Sequence, residues 1–488
     1  MNQLNRRSFV GAASAAGLTF WSGSASAAKA HADVRVALIG LRGRGRDHLQ
    51  AIGKNITVLC DVDRKMLALR NDEYAEKYGK KLPNYVDYRR LLDEADVDAV
   101  AIATPNHTHA LIAIAAIQAG KDVYCEKPVS HNVWEGAQIV AAARRYDKIV
   151  QCGTQSRSSV QIAQAIDWVN AGNIGKIEHA VGTCYKPRMS IGKLDSPLKI
   201  PGYLDYDLWC GPAEKREIYR PKLYYDWHWD TNTGNGDMGN QGIHEMDVAR
   251  WFLGEHQMPK RVLSIGGRLG YDDAGDTPNT QIAYFDYEKA PLLFETRGLP
   301  KSKAAQADWN ESMDNYRGSQ IGVIVQCEQG YVVVPTYNLA IAYDNDNNEI
   351  KRWEGAGNDV HGALPHFENW LEAVVKHDAS LLNADIQEGH MSSSLCHIGS
   401  ISHRLGKPAS AAEAAESCQD NDLLSDSFER MASHLRANEV SLDKKDSRLC
   451  LGKWIGLNPK GSEVLGDPEA TAMLRREGRT PFVIPETV

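Results

Sequence analysis

The sequence lacks several patterns that mark common functional classes. Its 488 residues carry a formal net charge of −8, with no basic stripe and no long block of one sign. We therefore expect no nucleic-acid partner and no basic membrane-binding patch. The nine cysteines have no repeated spacing, and neither C-x-x-C nor H-E-x-x-H occurs, so we expect buried thiols and no metal site. No internal repeat is found, and no apolar run is long enough to span a bilayer.

The first thirty residues have the composition of an export signal rather than of folded structure. Arg6 and Arg7 are followed two positions later by Phe9, then by a weakly apolar stretch rich in Gly, Ala and Ser. Paired arginines in this setting predict the twin-arginine pathway, with an ordinary secretory leader as the alternative. We expect residues 1–30 to be this signal and the protein to be periplasmic, with no membrane contact beyond export.

Residues 33–153 alternate short apolar runs with segments of helical period. The runs lie at 34–39, 57–60, 99–103, 122–124 and 149–152, and one of the segments of helical period covers 64–78. This alternation predicts a parallel sheet with helices on both faces. In such sheets, ligands bind at the edge where the carboxyl ends of the strands meet.

In residues 154–405 the order of strand-like and helical segments is different, and this pattern predicts a second α/β domain. Six strand-like runs follow one another between 261 and 344 without intervening helices, among them 321–327 and 339–344. This indicates a largely antiparallel open sheet. An aromatic, Pro- and Gly-rich excursion at 186–242 precedes them. The sequence assigns no structure to the C-terminal extension, residues 406–488.

A glycine-rich turn, G-L-R-G-R-G, follows the first strand at residues 40–45. Glycine permits a tight turn and lets the backbone approach a pyrophosphate, which the next helix N-terminus would bind. Asp61 ends the second strand, where an acidic side chain accepts ribose hydroxyls. Together these features predict a dinucleotide-binding Rossmann domain. Asp61 favours NAD, while Arg64 and the loop arginines keep NADP as the alternative.

Two further motifs end strands of the predicted sheet. T-P-N-H-T-H occupies 104–109, and E-K-P occupies 126–128. A lysine at a strand's carboxyl end would lie beside the cofactor crevice, whereas elsewhere a solvated surface lysine is the ordinary expectation. His107 and His109 lack zinc-ligand spacing, so we expect them to cap a helix or contact the cofactor.

The chain carries, in this order, G-L-R-G-R-G, T-P-N-H-T-H, E-K-P, C-G-T-Q-S-R and G-N-G-D-M-G-N-Q-G-I-H-E-M-D. In this combination it resembles the Gfo/Idh/MocA oxidoreductases, typified by glucose–fructose oxidoreductase and inositol dehydrogenases, over roughly residues 33–405. The resemblance implies an α/β fold with an N-terminal Rossmann domain and a C-terminal α/β domain with a largely antiparallel open sheet. It also implies NAD or NADP, a carbohydrate substrate and a homo-oligomer.

The resemblance further implies two catalytic side chains. Lys127 matches the family's E-K-P lysine, which orients the reacting hydroxyl and the nicotinamide, and His244 matches its histidine acid/base. A carbon that loses hydride must also lose its hydroxyl proton, and imidazole titrates near the working pH. A nearby ammonium stabilises the developing alkoxide.

The sequence departs from the family at two places. Asn240 stands four residues before the histidine, where the family has Asp, and Asn cannot take a proton at neutral pH. Trp227-His228-Trp229 stands where many members have a Trp-Arg pair. For the aromatic residues of the excursion, a core role and a sugar-binding wall both stay open. The predicted substrate-binding residues are Asn240, Trp227, Trp229 and Arg157.

An exported enzyme has no access to the cytoplasmic nucleotide pool, so we expect a tightly held cofactor. The leading hypothesis is an NAD(P)-dependent oxidoreductase acting on a sugar or sugar derivative. A redox-assisted, NAD-dependent glycoside hydrolase of the same superfamily and a non-catalytic sugar-binding protein are the alternatives. The predicted cofactor-binding residues are Gly40, Arg42, Gly43, Arg44, Gly45, Asp61, Thr104, Asn106, His109, Glu126, Lys127 and Gln155.

Overall fold

The computed structural model describes residues 31–309, 312–355, 363–443 and 449–488, so the predicted export signal lies outside the described residues. The strands are β1 Val36–Ile39, β2 Ile56–Cys60, β3 Asn84–Tyr85, β4 Ala99–Ile102, β5 Asp122–Cys125, β6 Val150–Cys152, β7 Ile177–Tyr185, β8 Arg261–Gly267, β9 Thr280–Phe285, β10 Leu292–Arg297, β11 Ile321–Cys327, β12 Gly330–Thr336, β13 Leu339–Asp344, β14 Glu349–Glu354, β15 Lys407–Pro408, β16 Cys450–Leu451 and β17 Ile455–Gly456. The α-helices are α1 Arg44–Ile52, α2 Arg64–Tyr78, α3 Tyr88–Glu94, α4 Asn106–Gln118, α5 Val133–Arg145, α6 Val160–Asn170, α7 Tyr206–Cys210, α8 Ile243–Leu253, α9 Ala363–Lys376, α10 Ile386–Arg404, α11 Ala411–Cys418, α12 Asp422–Ala437 and α13 Pro468–Ala472. None of the helices in these ranges combines the length and apolar character that a bilayer crossing requires.

The first sheet is parallel and has the strand order β3-β2-β1-β4-β5-β6. The direction of winding reverses between β1 and β4, so the loops that follow these two strands diverge and leave a crevice. Helices α4 and α5 cover one face, and α1, α2 and α9 cover the other. Helix α9 comes from beyond residue 154, and its Phe367 ring stacks on Tyr124 of β5 at 4.3 Å.

The second sheet has eleven strands in the order β14-β13-β12-β11-β7-β10-β9-β8-β16-β15, with β17 paired to β8. All of these pairings are antiparallel except that of β7 with β10. The predicted fold class is thereby confirmed. Helices α6, α8 and α10 pack on one face, while α11 and α12 of the C-terminal extension pack on the other.

The excursion at 186–242 folds back across the carboxyl edge of the parallel sheet. Its Leu204 forms an antiparallel bridge with Asp63, and its Asp205 N–H donates to the carbonyl of Val62 at 3.0 Å. The end of the chain joins it, since the Arg479 N–H donates to the carbonyl of Pro212 at 3.2 Å. These two segments form a roof over the edge where the parallel strands end.

A candidate nucleotide and substrate site

A cavity of about 530 Å³, called here the larger cavity, lies between the carboxyl edge of the parallel sheet and this roof. It is lined by ten of the predicted cofactor-binding residues, namely Gly40, Arg42, Gly43, Arg44, Asp61, Thr104, Asn106, His109, Glu126 and Lys127. The other two, Gly45 and Gln155, lie outside its lining. The structure therefore brings together most of a set that the sequence distributes over more than one hundred positions.

The glycine turn is shaped to let a ligand approach the backbone. Gly40 has φ +89°, and a Cβ there would lie 2.6 Å from the carbonyl oxygen of Ala103. Gly45 packs still closer, since its Cβ would lie 1.9 Å from the carbonyl oxygen of Gly40. Gly43, the N-cap of α1, faces open space and no side chain caps the helix. An uncapped helix start beside open space fits the pyrophosphate of a dinucleotide.

Asp61 stabilises this turn from the end of β2. Its two carboxylate oxygens accept hydrogen bonds from the N–H groups of Leu41 and Asp63, both at 2.8 Å. Burial raises the pKa of Asp61 to about 6, against the opposing effect of these hydrogen bonds. The carboxyl group is therefore largely ionised at neutral pH and still borders the larger cavity.

Arg42 connects the glycine turn to the roof. Its Nη2 donates to Asp63 Oδ2 at 2.6 Å, and its guanidinium lies 3.5 Å from the ring centroid of Tyr224. The Tyr224 hydroxyl donates to the same Asp63 oxygen. The other oxygen of Asp63 caps α2. Asp63, Arg42 and Tyr224 form a clamp, and its Arg42 and Tyr224 side chains border the larger cavity.

Glu126 is the acceptor of a second buried polar cluster. Arg44 Nε donates to its Oε1 at 2.8 Å, and His48 Nε2 donates to the same oxygen at 2.9 Å. Burial opposes ionisation of Glu126, but the charge of Arg44 and the His48 hydrogen bond outweigh it and hold the pKa well below its usual range. The residue before Lys127 is thus fixed as a buried carboxylate.

Lys127 borders the larger cavity and donates through Nζ to the main-chain carbonyl of Asn240. His244 is buried at the start of α8, directly after a π-helical segment at Met238–Gly242, and lines a second cavity of about 230 Å³, the smaller cavity. Its Nδ1 has no hydrogen-bond partner within the described residues.

The pKa values show that Lys127 and His244 interact. Burial, and after it the positive charge of Lys127, holds the pKa of His244 well below its usual range. Burial also lowers the pKa of Lys127, against the opposing charge of Glu126. Lys127 thus lines the larger cavity and His244 the smaller one, and the Asn240 carbonyl that Lys127 contacts lies four residues before His244 in the chain.

The predicted substrate-binding residues separate into two groups. Asn240 and Trp227 border the larger cavity. Trp229 is buried beneath Arg188, with 5.1 Å between guanidinium and ring centroid, and lies outside both linings. Arg157 also lies outside them, because its Nε and Nη2 donate to Asp247 at 2.9 Å and it forms a second ion pair with Glu388.

Sequence reasoning assigned no site role to His228, Phe482 or Lys186. His228 borders the larger cavity, stacks on Trp227 at 3.6 Å and donates through Nδ1 to the carbonyl of Tyr225. Its position between two tryptophans, in the sequence W-H-W, is the sequence signal that could have identified it. Phe482 borders the same cavity from the end of the chain, and no local pattern could have placed it there. Lys186 lines the smaller cavity.

Comparison with known proteins fits this geometry. Residues 34–154 match the Gfo/Idh/MocA family, described as an oxidoreductase family with an NAD-binding Rossmann fold. Inositol 2-dehydrogenase 3 of Saccharopolyspora erythraea is 35% identical over 304 residues, covering 60% of this chain and 70% of that enzyme. The chain belongs to this family of oxidoreductases. A second relative, levoglucosan dehydrogenase of Pseudarthrobacter phenanthrenivorans, is 29% identical over 258 residues, covering 50% of this chain and 59% of that enzyme.

The chain spans only 57–59% of the length of the first curated relatives it matches. Solved structures show the same fold. A levoglucosan dehydrogenase in complex with NADH and levoglucosan superposes with a TM-score of 0.55 at 18% identity, covering 74% of this chain and 95% of that one. The WlbA dehydrogenase of Bordetella pertussis, in complex with NADH and UDP-GlcNAcA, superposes with a TM-score of 0.54 at 16% identity, covering 75% and 95%.

Proposed function

We propose that this protein oxidises or reduces a sugar or sugar derivative by hydride transfer with an NAD cofactor that stays bound. The observation that carries the proposal is the larger cavity, which is bordered by an uncapped helix start, by Asp61 and by Lys127. A dinucleotide fits these residues, because no atom of the described residues lies within 4 Å of a Cβ placed on Gly43. When bound, the nicotinamide supplies the hydride acceptor.

Lys127 and His244 would assist removal of the proton from the hydroxyl that is oxidised. The main-chain carbonyl of Asn240 orients the Lys127 ammonium, which stabilises negative charge on the oxygen of the hydroxyl that is oxidised. His244 is neutral and its Nδ1 is unpartnered within the described residues, so it can accept that proton. Asn240 can orient a hydroxyl but cannot accept the proton, which leaves the imidazole as the acceptor.

NAD is favoured over NADP by the charges at the ribose end of the cavity. A 2′-phosphate there would meet Asp61 and lie close to Asp63, both of which are carboxylates. Arg42 also borders the cavity, and it is already engaged with Asp63 and the Tyr224 ring. Equilibrium titration of stripped protein with NAD⁺ and NADP⁺ tests this choice, and tighter binding of NADP⁺ would contradict it.

A redox-assisted glycoside hydrolase is the second candidate, and the roof favours it. Residues of the excursion and Phe482 cover the larger cavity, which supports a nucleotide that is reduced and reoxidised without leaving. Such a cycle suits an exported protein. We propose periplasmic export through residues 1–30 and a homo-oligomeric state as further expectations, to be tested by mass spectrometry of the mature N-terminus and by light scattering.

Purified protein tests the main proposal. Denaturation should release one nicotinamide nucleotide per chain, identified by mass spectrometry. A substrate found among levoglucosan, myo-inositol, D-glucose and D-glucuronate should then raise the absorbance of the holoprotein at 340 nm by at most one equivalent. Release of nitrophenol from a nitrophenyl glycoside without a net gain at 340 nm would select the hydrolase. Binding of sugars with neither signal would select a non-catalytic sugar-binding protein.

A further inference from the structure

The smaller cavity is lined by a lysine, Lys186, that forms no ion pair with any residue the structure describes. Lys186 directly follows β7 and lines this cavity together with Gln241, His244, Glu245 and Tyr337. Its Nζ donates to Gln241 Oε1 at 3.3 Å, and among the described residues no carboxylate lies within ion-pair distance of it. A lysine ammonium in a cavity that pairs with no carboxylate can form an ion pair with a bound anion.

The one carboxyl group of this cavity does not neutralise that charge. Glu245 is buried, with 4% of its surface exposed, and its Oε1 accepts a hydrogen bond from Gln241 Nε2 at 3.0 Å. Its Oε2 has no partner within the described residues. Burial raises the pKa of Glu245 to about 8, so at neutral pH the group is mostly an uncharged acid.

The surroundings strengthen the attraction for negative charge. His244 is neutral, and Lys127 is close enough to lower its pKa. Much of the remaining wall is apolar, including Ile162, Val248 and Val323. Two ammonium groups beside apolar walls of low dielectric produce a positive potential that is focused into the cavity.

We propose that the smaller cavity binds an anionic substituent of the sugar, and that the substrate is therefore an acidic sugar rather than a neutral one. This inference rests on the proposed function for the identity of the ligand as a sugar. A carboxylate, a sulfate or a phosphate group shares the required chemistry. The acidic group contacts Lys186, while the ring carbon that reacts lies toward Lys127 and the larger cavity.

Isothermal titration of the NAD⁺-loaded protein tests this inference. The ligands are D-glucuronate and D-glucuronamide, which match in size and differ in charge, together with glucose 6-sulfate, glucose 6-phosphate and D-glucose. At least one anion should bind about tenfold or more tightly than its neutral counterpart. The anion that binds most tightly identifies the acidic group as a carboxylate, a sulfate or a phosphate. The affinity for this anion should fall as ionic strength rises.

Variants localise the effect. Lys186→Met should remove the preference for the anion and leave the affinity for D-glucuronamide unchanged, while Lys186→Arg should retain the preference. Lys193→Met, at an exposed lysine outside both cavities, is the matched control and should behave as wild type. The inference is overturned if charged and neutral ligands bind with equal affinity, or if no sugar binds at all. It is also overturned if Lys186→Met lowers the affinity for charged and neutral ligands equally. Anion binding that depends on Lys186, without any nicotinamide reduction, overturns only the oxidoreductase proposal.

Discussion

At the scale of single residues, the proposed reaction depends most directly on Lys127. Lys127→Ala should slow single-turnover nicotinamide reduction at least about a hundredfold, because the alkoxide loses its ammonium. Nucleotide affinity should stay near wild type, since the glycine turn and Asp61 would still bind the nucleotide. Stopped-flow absorbance at 340 nm and NAD⁺ titration separate the two effects.

Lys121→Ala is the matched control, because Lys121 precedes β5 at its opposite end and lies outside both cavities. A near-normal rate in Lys127→Ala would show that the ammonium does not act on the reacting oxygen.

Glu245 makes a prediction about stability that does not depend on substrate. Its folded-state pKa of about 8 exceeds the ordinary value of 4.5, so ionisation costs stability as pH rises through that interval. Below about pH 4.5 the stabilising contribution is fully present, and it is lost toward pH 8. Glu245→Gln keeps the Gln241 contact and cannot ionise. It should therefore gain stability relative to wild type by about 1 kcal/mol per pH unit within this window.

Urea unfolding between pH 5 and pH 9 measures this difference. The charged and titratable groups that interact with Glu245 include Lys186, Lys127, Tyr337 and Cys184, and His244 precedes it in α8. All of them are present in both proteins, so their own contributions to the difference cancel. A difference that does not change with pH would contradict a protonated Glu245.

At the scale of elements, sequence signals predicted best where they were local. The period of 64–78 predicted α2 with its observed bounds, and the structure shows why: the Asp63 side chain caps its start, and Gly79 ends it with a left-handed conformation. The strands Ile321–Cys327 and Leu339–Asp344 were also predicted with their observed bounds. The residues that contact across elements were not predictable. The roles of Arg42 and Tyr224 depend on the path of the excursion, which no local period encodes.

At the scale of elements, the close packing of the glycine turn predicts the effect of a substitution at Gly45. In Gly45→Ala the new Cβ would lie 1.9 Å from the carbonyl oxygen of Gly40, so the turn must shift. We expect a loss of about 1–3 kcal/mol in unfolding free energy and clearly weaker NAD⁺ binding. Gly202→Ala, where a Cβ meets nothing within 4 Å, is the control. Unchanged nucleotide affinity in Gly45→Ala would mean that the turn does not hold the pyrophosphate.

At the scale of the whole molecule, the C-terminal extension connects the two sheets. Its helices cover the antiparallel sheet, and its last residues pack on the parallel one through Ile484 and Val488. Arg476 donates to the carbonyls of Asn232 and His107 and so joins the roof to the start of α4. Charge and alanine content alone could not reveal these contacts, because each one depends on residues hundreds of positions away.

The extension should therefore control how long the nucleotide stays bound. Phe482→Ala removes an aromatic ring from the wall of the larger cavity and should speed dissociation of NADH severalfold, as followed by its fluorescence during dilution. Val483→Ala is the neighbouring control, since Val483 is 46% exposed and lies outside the cavity. If both variants release NADH at the wild-type rate, the end of the chain does not retain the nucleotide.

The central claim is that a dinucleotide occupies the larger cavity with its nicotinamide at the Lys127 end. A crystal structure of the protein saturated with NAD⁺ tests it most directly. We predict a pyrophosphate at Gly43 and the start of α1, a ribose at Asp61, and a nicotinamide ring in contact with Lys127 and facing His244. An empty larger cavity at saturating NAD⁺, or a nucleotide bound elsewhere on the protein, would contradict the claim.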